Sequence, residues 1–145
     1  MSHLKYSNTK LFVENTSIFN LTKENKTPFY VYSESQIREN YLKLAKSFKS
    51  TNPLICFATK ANTNISIIKI LGKLGAGADV VSGGELLKAI KGGIRPNKIV
   101  FSGVGKTEEE LKLAINKKIL LINIESESEA RLINEIGRKD NKKIS

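Results

Sequence analysis

The chain has 145 residues, 40% of them hydrophobic, with 24 lysines and arginines against 14 aspartates and glutamates and a formal charge of +10. That length fits one domain with enough apolar content for a core, which excludes a disordered tail. The charge invites a nucleic-acid or anionic-surface partner, yet the lysines are spread over helical patterns (Lys43, Lys46, Lys49; Lys69, Lys73; Lys112, Lys117, Lys118) without interleaved aromatic residues, so solvated helix faces explain them better.

Residues 1–26 are polar and Asn-rich, with one short predicted strand at 11–13, and read as a lead-in. Pro28 precedes an aromatic and β-branched run at 29–32 that predicts a strand. Ser33 or Ser35 can cap the helix that follows, with apolar positions at Ile37, Tyr41, Leu42, Leu44 and Ala45. The same grammar repeats. A strand at 54–59 leads to a helix entered at Asn62 or Asn64 and ended by Gly75. A strand at 78–81 leads across Ser82-Gly83-Gly84 to a helix stopped at Gly92-Gly93. A strand at 99–101 precedes the capping box Thr107/Glu110, and a long apolar strand at 119–124 precedes a second box, Ser126/Glu129. Residues 142–145 read as the start of one more strand.

Strands apolar on both faces, each followed by an amphipathic helix, predict an α/β architecture with a parallel sheet covered by helices. An open doubly wound sheet and a (βα)8 barrel are the two possible closures. A barrel needs roughly 200 residues or more. On that reading the chain is a truncated, N-terminal half of a barrel at 27–145, preceded by the lead-in at 1–26.

One cysteine, Cys56, rules out an intrachain disulfide and reads as a small core filler. The single histidine, His3, rules out a histidine dyad or a multi-histidine metal site drawn from this chain, and no metal is expected. No stretch approaches the roughly 18 apolar residues of a spanning helix, and the first ten residues lack the apolar core of a signal peptide, so a cytoplasmic location is expected.

Lys60 closes the apolar run 54–59, and glycine-rich loops follow. A lysine at the C-terminal end of a parallel strand can be partly desolvated, its pKa lowered, and a Schiff base formed with a carbonyl such as that of pyridoxal phosphate. The plain alternative is a lysine marking where a buried strand reaches water. Asp79, in an otherwise apolar strand, needs a donor or cation, and Lys60 on the neighbouring strand is the candidate. Glu85 stands in a first helical turn, favourable on its own account. Gly103-Val104-Gly105-Lys106-Thr107 imitates the tail of a P-loop, but the glycine required five positions before Gly105 is Val100. What survives is a glycine-rich turn with Lys106 at a helix start.

Four linked segments carry a resemblance: CFATKAN at 56–62, GAGADVVSGGEL at 75–86, PNKIVFSGVGKTEEEL at 96–111 and INIESESE at 122–129. In this order and spacing they resemble the N-terminal half of the barrel of the diaminopimelate decarboxylase family, within the alanine-racemase-like (fold-type III) pyridoxal-phosphate enzymes. TPFYVYS at 27–33 is similar to the family's entry into the barrel. The lysine motif is shared with ornithine and arginine decarboxylases, while SGGEL and FSGVGKT favour the diaminopimelate branch.

The resemblance implies that Lys60 is bound covalently to pyridoxal 5'-phosphate, that Ala58 lies beneath its ring, that Asp79 neighbours both, and that Glu85 shares the layer. Ser102 and Lys106 are further candidates. Phe57 and Thr59 depart from the usual family residues and point to the face opposite Lys60, away from the chemistry. The family's other cofactor contacts, and the β domain with which the lead-in would pair, lie beyond position 145. The implied activity is decarboxylation of meso-2,6-diaminopimelate to L-lysine by a homodimer, with no nucleic-acid or membrane partner, and little turnover is expected of the isolated chain. An ornithine- or arginine-type decarboxylase of the same fold and a noncatalytic cofactor-binding homologue are the alternatives.

Overall fold

The structure is a computed structural model describing residues 3–139 and 144. By packing, the chain forms two units that divide between Ser47 and Phe48.

In the first unit, strands β1 (Leu4–Ser7), β2 (Lys10–Val13) and β3 (Thr16–Ser17) form an antiparallel sheet in that order, followed by helices α1 (Ile18–Glu24) and α2 (Glu34–Ser47). The lead-in is thus more structured than the single strand expected from its composition. The hairpin between β1 and β2 turns at Asn8 and Thr9, whose φ angles of 47° and 64° are the left-handed pair a tight hairpin requires. The packing division falls after α2, and the lead-in holds that helix's start. Glu14 Oε1 accepts from Ser33 Oγ at 2.6 Å and from Ser35 N at 2.8 Å, while Ser33 Oγ caps Gln36 N at 3.0 Å. The strand expected at 29–32 does not form. A strand exists only within a ladder, these residues belong to neither sheet, and Tyr30 is 90% exposed.

In the second unit, β4 (Cys56–Ala58), β5 (Gly77–Val80), β6 (Ile99–Phe101) and β7 (Leu121–Ile122) form a parallel sheet in sequence order. Helices α3 (Ile65–Lys73), α4 (Gly83–Lys91), α5 (Glu108–Lys117) and α6 (Glu127–Lys139) alternate with them, which is the βα repeat the sequence predicts. Strands β4 and β7 are shorter than expected at 54–59 and 119–124; β4 gives way at Thr59 to a 3₁₀ turn, Thr59–Ala61. The strand expected at 142–145 lies outside the described residues.

The caps are those the sequence signals. Asn64 Oδ1 accepts from Ser66 N, Ser82 Oγ from Glu85 N, and Thr107 with Glu110 completes a capping box. At Ser126 only half the expected box forms: Ser126 Oγ accepts from Glu129 N, but the Glu129 side chain reaches Glu125 N and Lys106 instead. Helices α3 and α4 stop at Gly75 (φ 97°) and Gly93 (φ 89°), where Ala76 N returns to Leu71 O and Ile94 N to Ala89 O.

Strand parity gives the sheet two unlike faces. Ala78, Val80, Ile99, Phe101 and Ile122 point toward the helices and join Ile68, Leu86, Leu111, Ala114, Ile133 and Ile136 in one core, with Phe57 against it. Fully burying a side chain such as Phe101 or Leu86 contributes about 1.5–3 kcal/mol, so this layer holds the C-terminal ends of the strands in place.

Candidate active site

The opposite face carries Cys56, Ala58, Gly77, Asp79, Val100 and Leu121. The register pairs Ala58 with Asp79, Asp79 with Val100, and Val100 with Leu121, so these four form one row. The ladder continues at the strands' C-terminal ends: Ser102 N donates to Val80 O at 2.8 Å and Asn123 N to Phe101 O at 2.9 Å. Lys60, Ser102 and Asn123 accordingly lie at that end of the sheet, where parallel α/β sheets assemble their sites.

Lys60 is exposed, not partly desolvated as the sequence reading expected, because β4 ends before it and the 3₁₀ turn lifts it clear of the strand. Among the described residues its ammonium makes no hydrogen bond or ion pair. It therefore does not serve as the cation for Asp79. The in-register neighbour of Asp79 is Ala58, and the chain leaves the strand for the 3₁₀ turn before it reaches Lys60. Asp79 Oδ1 is buried and has no partner among the described residues, a cost of about 1–3 kcal/mol for an unpaired acceptor.

Glu85 turns back from the first turn of α4. Its Oε2 accepts from Val81 N at 3.0 Å and from Thr59 Oγ1 at 2.5 Å. The Thr59 side chain is fully buried, on the helix side as alternation requires, and its hydroxyl also lies 3.0 Å from Asp79 O. Ser102 is half-buried and accepts from Asn123 Nδ2 at 3.0 Å. Sequence reasoning overlooked Asn123; the signal was a polar residue directly after the buried Ile122, where a strand reaches the rim.

Lys106 is not available to a ligand. Its ammonium has three protons, and they are placed on Gly103 O, Asn123 O and Glu129 Oε1 at 2.8, 2.7 and 2.6 Å. Cys56, expected as core filler, faces the Ala58 side instead because it shares that residue's parity. Burial, with the nearby Asp79 charge, pushes its thiol pKa up, so it stays protonated and a poor nucleophile.

A free primary amine, a methyl-sized residue beside it, and an orphaned buried carboxylate oxygen in the same strand pair suit a flat carbonyl compound with a polar edge. The set fits pyridoxal phosphate: Lys60 would bond it, Ala58 would leave space for its ring, and Asp79 Oδ1 would gain a partner. Among the described residues there is no cluster of three potential metal ligands, and no helix is long and apolar enough to cross a membrane.

Known proteins are similar to this chain in sequence and fold. Residues 34–144 match the family of the pyridoxal-dependent decarboxylases through its pyridoxal binding domain. A diaminopimelate decarboxylase from Aquifex aeolicus is 48% identical over 141 residues, covering 97% of this chain and 33% of that protein. The crystal structure of diaminopimelate decarboxylase from M. jannaschii in complex with L-lysine superposes with a TM-score of 0.90 at 38% identity, covering 95% of this chain and 33% of that one. The enzyme from Helicobacter pylori complexed with L-lysine gives a TM-score of 0.82 at 43% identity, covering 85% and 31%. The chain spans about a third of the length of the relatives it matches. A parallel sheet offering a lysine amine at its C-terminal edge, matched over most of its length by that domain, makes this chain a member of the pyridoxal-dependent decarboxylase family.

Proposed function

We propose that the protein to which this chain contributes decarboxylates meso-2,6-diaminopimelate to L-lysine with pyridoxal 5'-phosphate, and that Lys60 is the residue that bonds the cofactor. The observation that carries this reading is the unpaired Lys60 amine in the turn directly after the row Ala58–Asp79, in a chain so similar to diaminopimelate decarboxylases. When bound, pyridoxal phosphate supplies a carbonyl for amine capture and a conjugated ring that accepts the electrons left by departing carbon dioxide.

The chain's own residues would supply part of the rest. Lys60 would present a nucleophile once deprotonated and, when not bonded to the cofactor, would carry a proton to the product. Ala58 keeps the strand surface low, Asp79 offers an acceptor already stripped of water, and Glu85 and Ser102 border the same strand ends. Residues 27–145 would supply this part of a barrel, and residues 1–26 would pack on a C-terminal β domain. A homodimer in the cytoplasm is the assembly this reading implies, and the 145-residue chain alone is expected to show little turnover. The test is an assay, on the complete protein to which this chain contributes, of carbon dioxide release from meso-2,6-diaminopimelate, ornithine and arginine. Release from the first substrate alone, abolished by Lys60→Ala, supports the proposal; preference for either of the others refutes the substrate assignment.

A further inference from the structure

Thr59 is the residue immediately before Lys60, and its hydroxyl ties together three separate pieces of the fold. Oγ1 is fully buried, 2.5 Å from Glu85 Oε2 and 3.0 Å from Asp79 O, so one side chain of the 3₁₀ turn contacts both the first turn of α4 and the backbone of β5. A hydroxyl has one proton to give. The shorter contact, to a carboxylate, is the charge-assisted one and takes it. Glu85 Oε2 accepts Val81 N as well, and Glu85 N is held by Ser82 Oγ, so the acceptor is itself fixed by two bonds to the β5–α4 turn. The turn carrying Lys60 follows a strand of only three residues that ends at Ala58, and Asn62 N closes the turn on Thr59 O at 3.1 Å.

We infer that the Thr59 hydroxyl is a positioning group for Lys60, which, through its bond to Glu85, orients the short turn so that the lysine amine stands over the Ala58–Asp79 row. A valine would fill the same volume without the bond, leaving the Glu85 carboxylate partly unpaired and the turn free to rotate, with the lysine moving at the end of that lever. The inference rests on the reading that Lys60 bonds pyridoxal phosphate.

The test compares the cofactor-free protein with its Thr59→Val and Thr59→Ser variants. It follows the rate at which added pyridoxal phosphate is captured, by the growth of its visible band, and the pH midpoint of that band. Borohydride trapping gives the extent of labelling at Lys60, and a thermal melt of each cofactor-free protein controls for folding. The expected result is capture roughly tenfold slower in Thr59→Val with a displaced pH midpoint, full labelling at saturation, and a rate near the parent's in Thr59→Ser. An unchanged rate and midpoint in Thr59→Val overturn the inference, as does a Thr59→Ser variant as slow as Thr59→Val, which would assign the effect to packing of the methyl group. Should Thr59→Val fail to fold, Glu85→Leu, which removes the acceptor, carries the same comparison: slower capture supports the inference and unchanged capture refutes it. Absence of label on Lys60 in the unsubstituted protein is a different failure, for it removes the cofactor reading and the inference together.

Discussion

Lys106 Nζ lies 2.6 Å from Glu129 Oε1 with both side chains buried, 1% and 8% exposed, and the same ammonium holds the carbonyls of Gly103 and Asn123. One cation therefore joins the loop after β6, the end of β7 and the first turn of α6, and it stands 5.7 Å from the centroid of the Phe101 ring. Lys106→Met strands a buried carboxylate and should destabilise the protein by about 3–5 kcal/mol. Adding Glu129→Leu removes the stranded charge and should restore much of that loss. Urea unfolding of the parent and both variants measures it; a double variant no more stable than Lys106→Met would show that the carbonyl contacts, not the ion pair, carry the effect.

In the first unit, hydrogen bonds from the Ser33 hydroxyl and then from Ser35 hold the Glu14 carboxyl well below its ordinary value of 4.5, at about 2. Because the folded state binds its proton more weakly than the unfolded chain does, its contribution to stability is complete above pH 4.5 and is lost as pH falls toward 2. Glu14→Gln should lower thermal stability above pH 4.5 and flatten the acid limb in that window, so that the two proteins converge toward pH 2. A limb of unchanged slope would contradict the assignment.

Asp79 Oδ1 gives the opposite expectation for stability and for binding. With no partner for that oxygen among the described residues, Asp79→Ala should stabilise the cofactor-free protein by about 1 kcal/mol. The same change should weaken pyridoxal phosphate binding. Calorimetric melts with and without cofactor separate the two effects; destabilisation of the cofactor-free form would mean that the carboxylate is satisfied after all.

Lys118 ends α5 with φ at 54°, and Ile119 N returns to Ala114 O, so a lysine occupies the place that Gly75 and Gly93 take after α3 and α4. Relieving the left-handed strain with Lys118→Gly should raise stability by about 0.5–1 kcal/mol. An unchanged or lowered urea midpoint would refute it.

The βα repeat was legible because each helix announces its ends locally: Asn64, Ser82, Thr107 and Ser126 in front, Gly75 and Gly93 behind. Each strand is an apolar run whose parity sorts Phe101 from Val100. Neighbour-dependent features were not legible. A strand at 29–32 needs a ladder partner that no local pattern reveals, and the Asn8-Thr9 turn uses residues that seldom flag a hairpin. At the candidate site, Lys60, Ala58 and Asp79 were legible as candidates, but their relation was not: Lys60 stands within a three-residue turn and not on the strand whose alternation would have put it on the face of Asp79. The capture of Lys106 by Glu129, 23 positions away, is likewise invisible until the helices are packed.

The most direct test of the account is to incubate the protein with pyridoxal 5'-phosphate, reduce it with borohydride, and locate the label by peptide mass spectrometry. A single labelled site at Lys60, lost in Lys60→Ala, is the predicted result. Label distributed over the many exposed lysines, or unchanged in the variant, would contradict the claim that this residue bonds the cofactor.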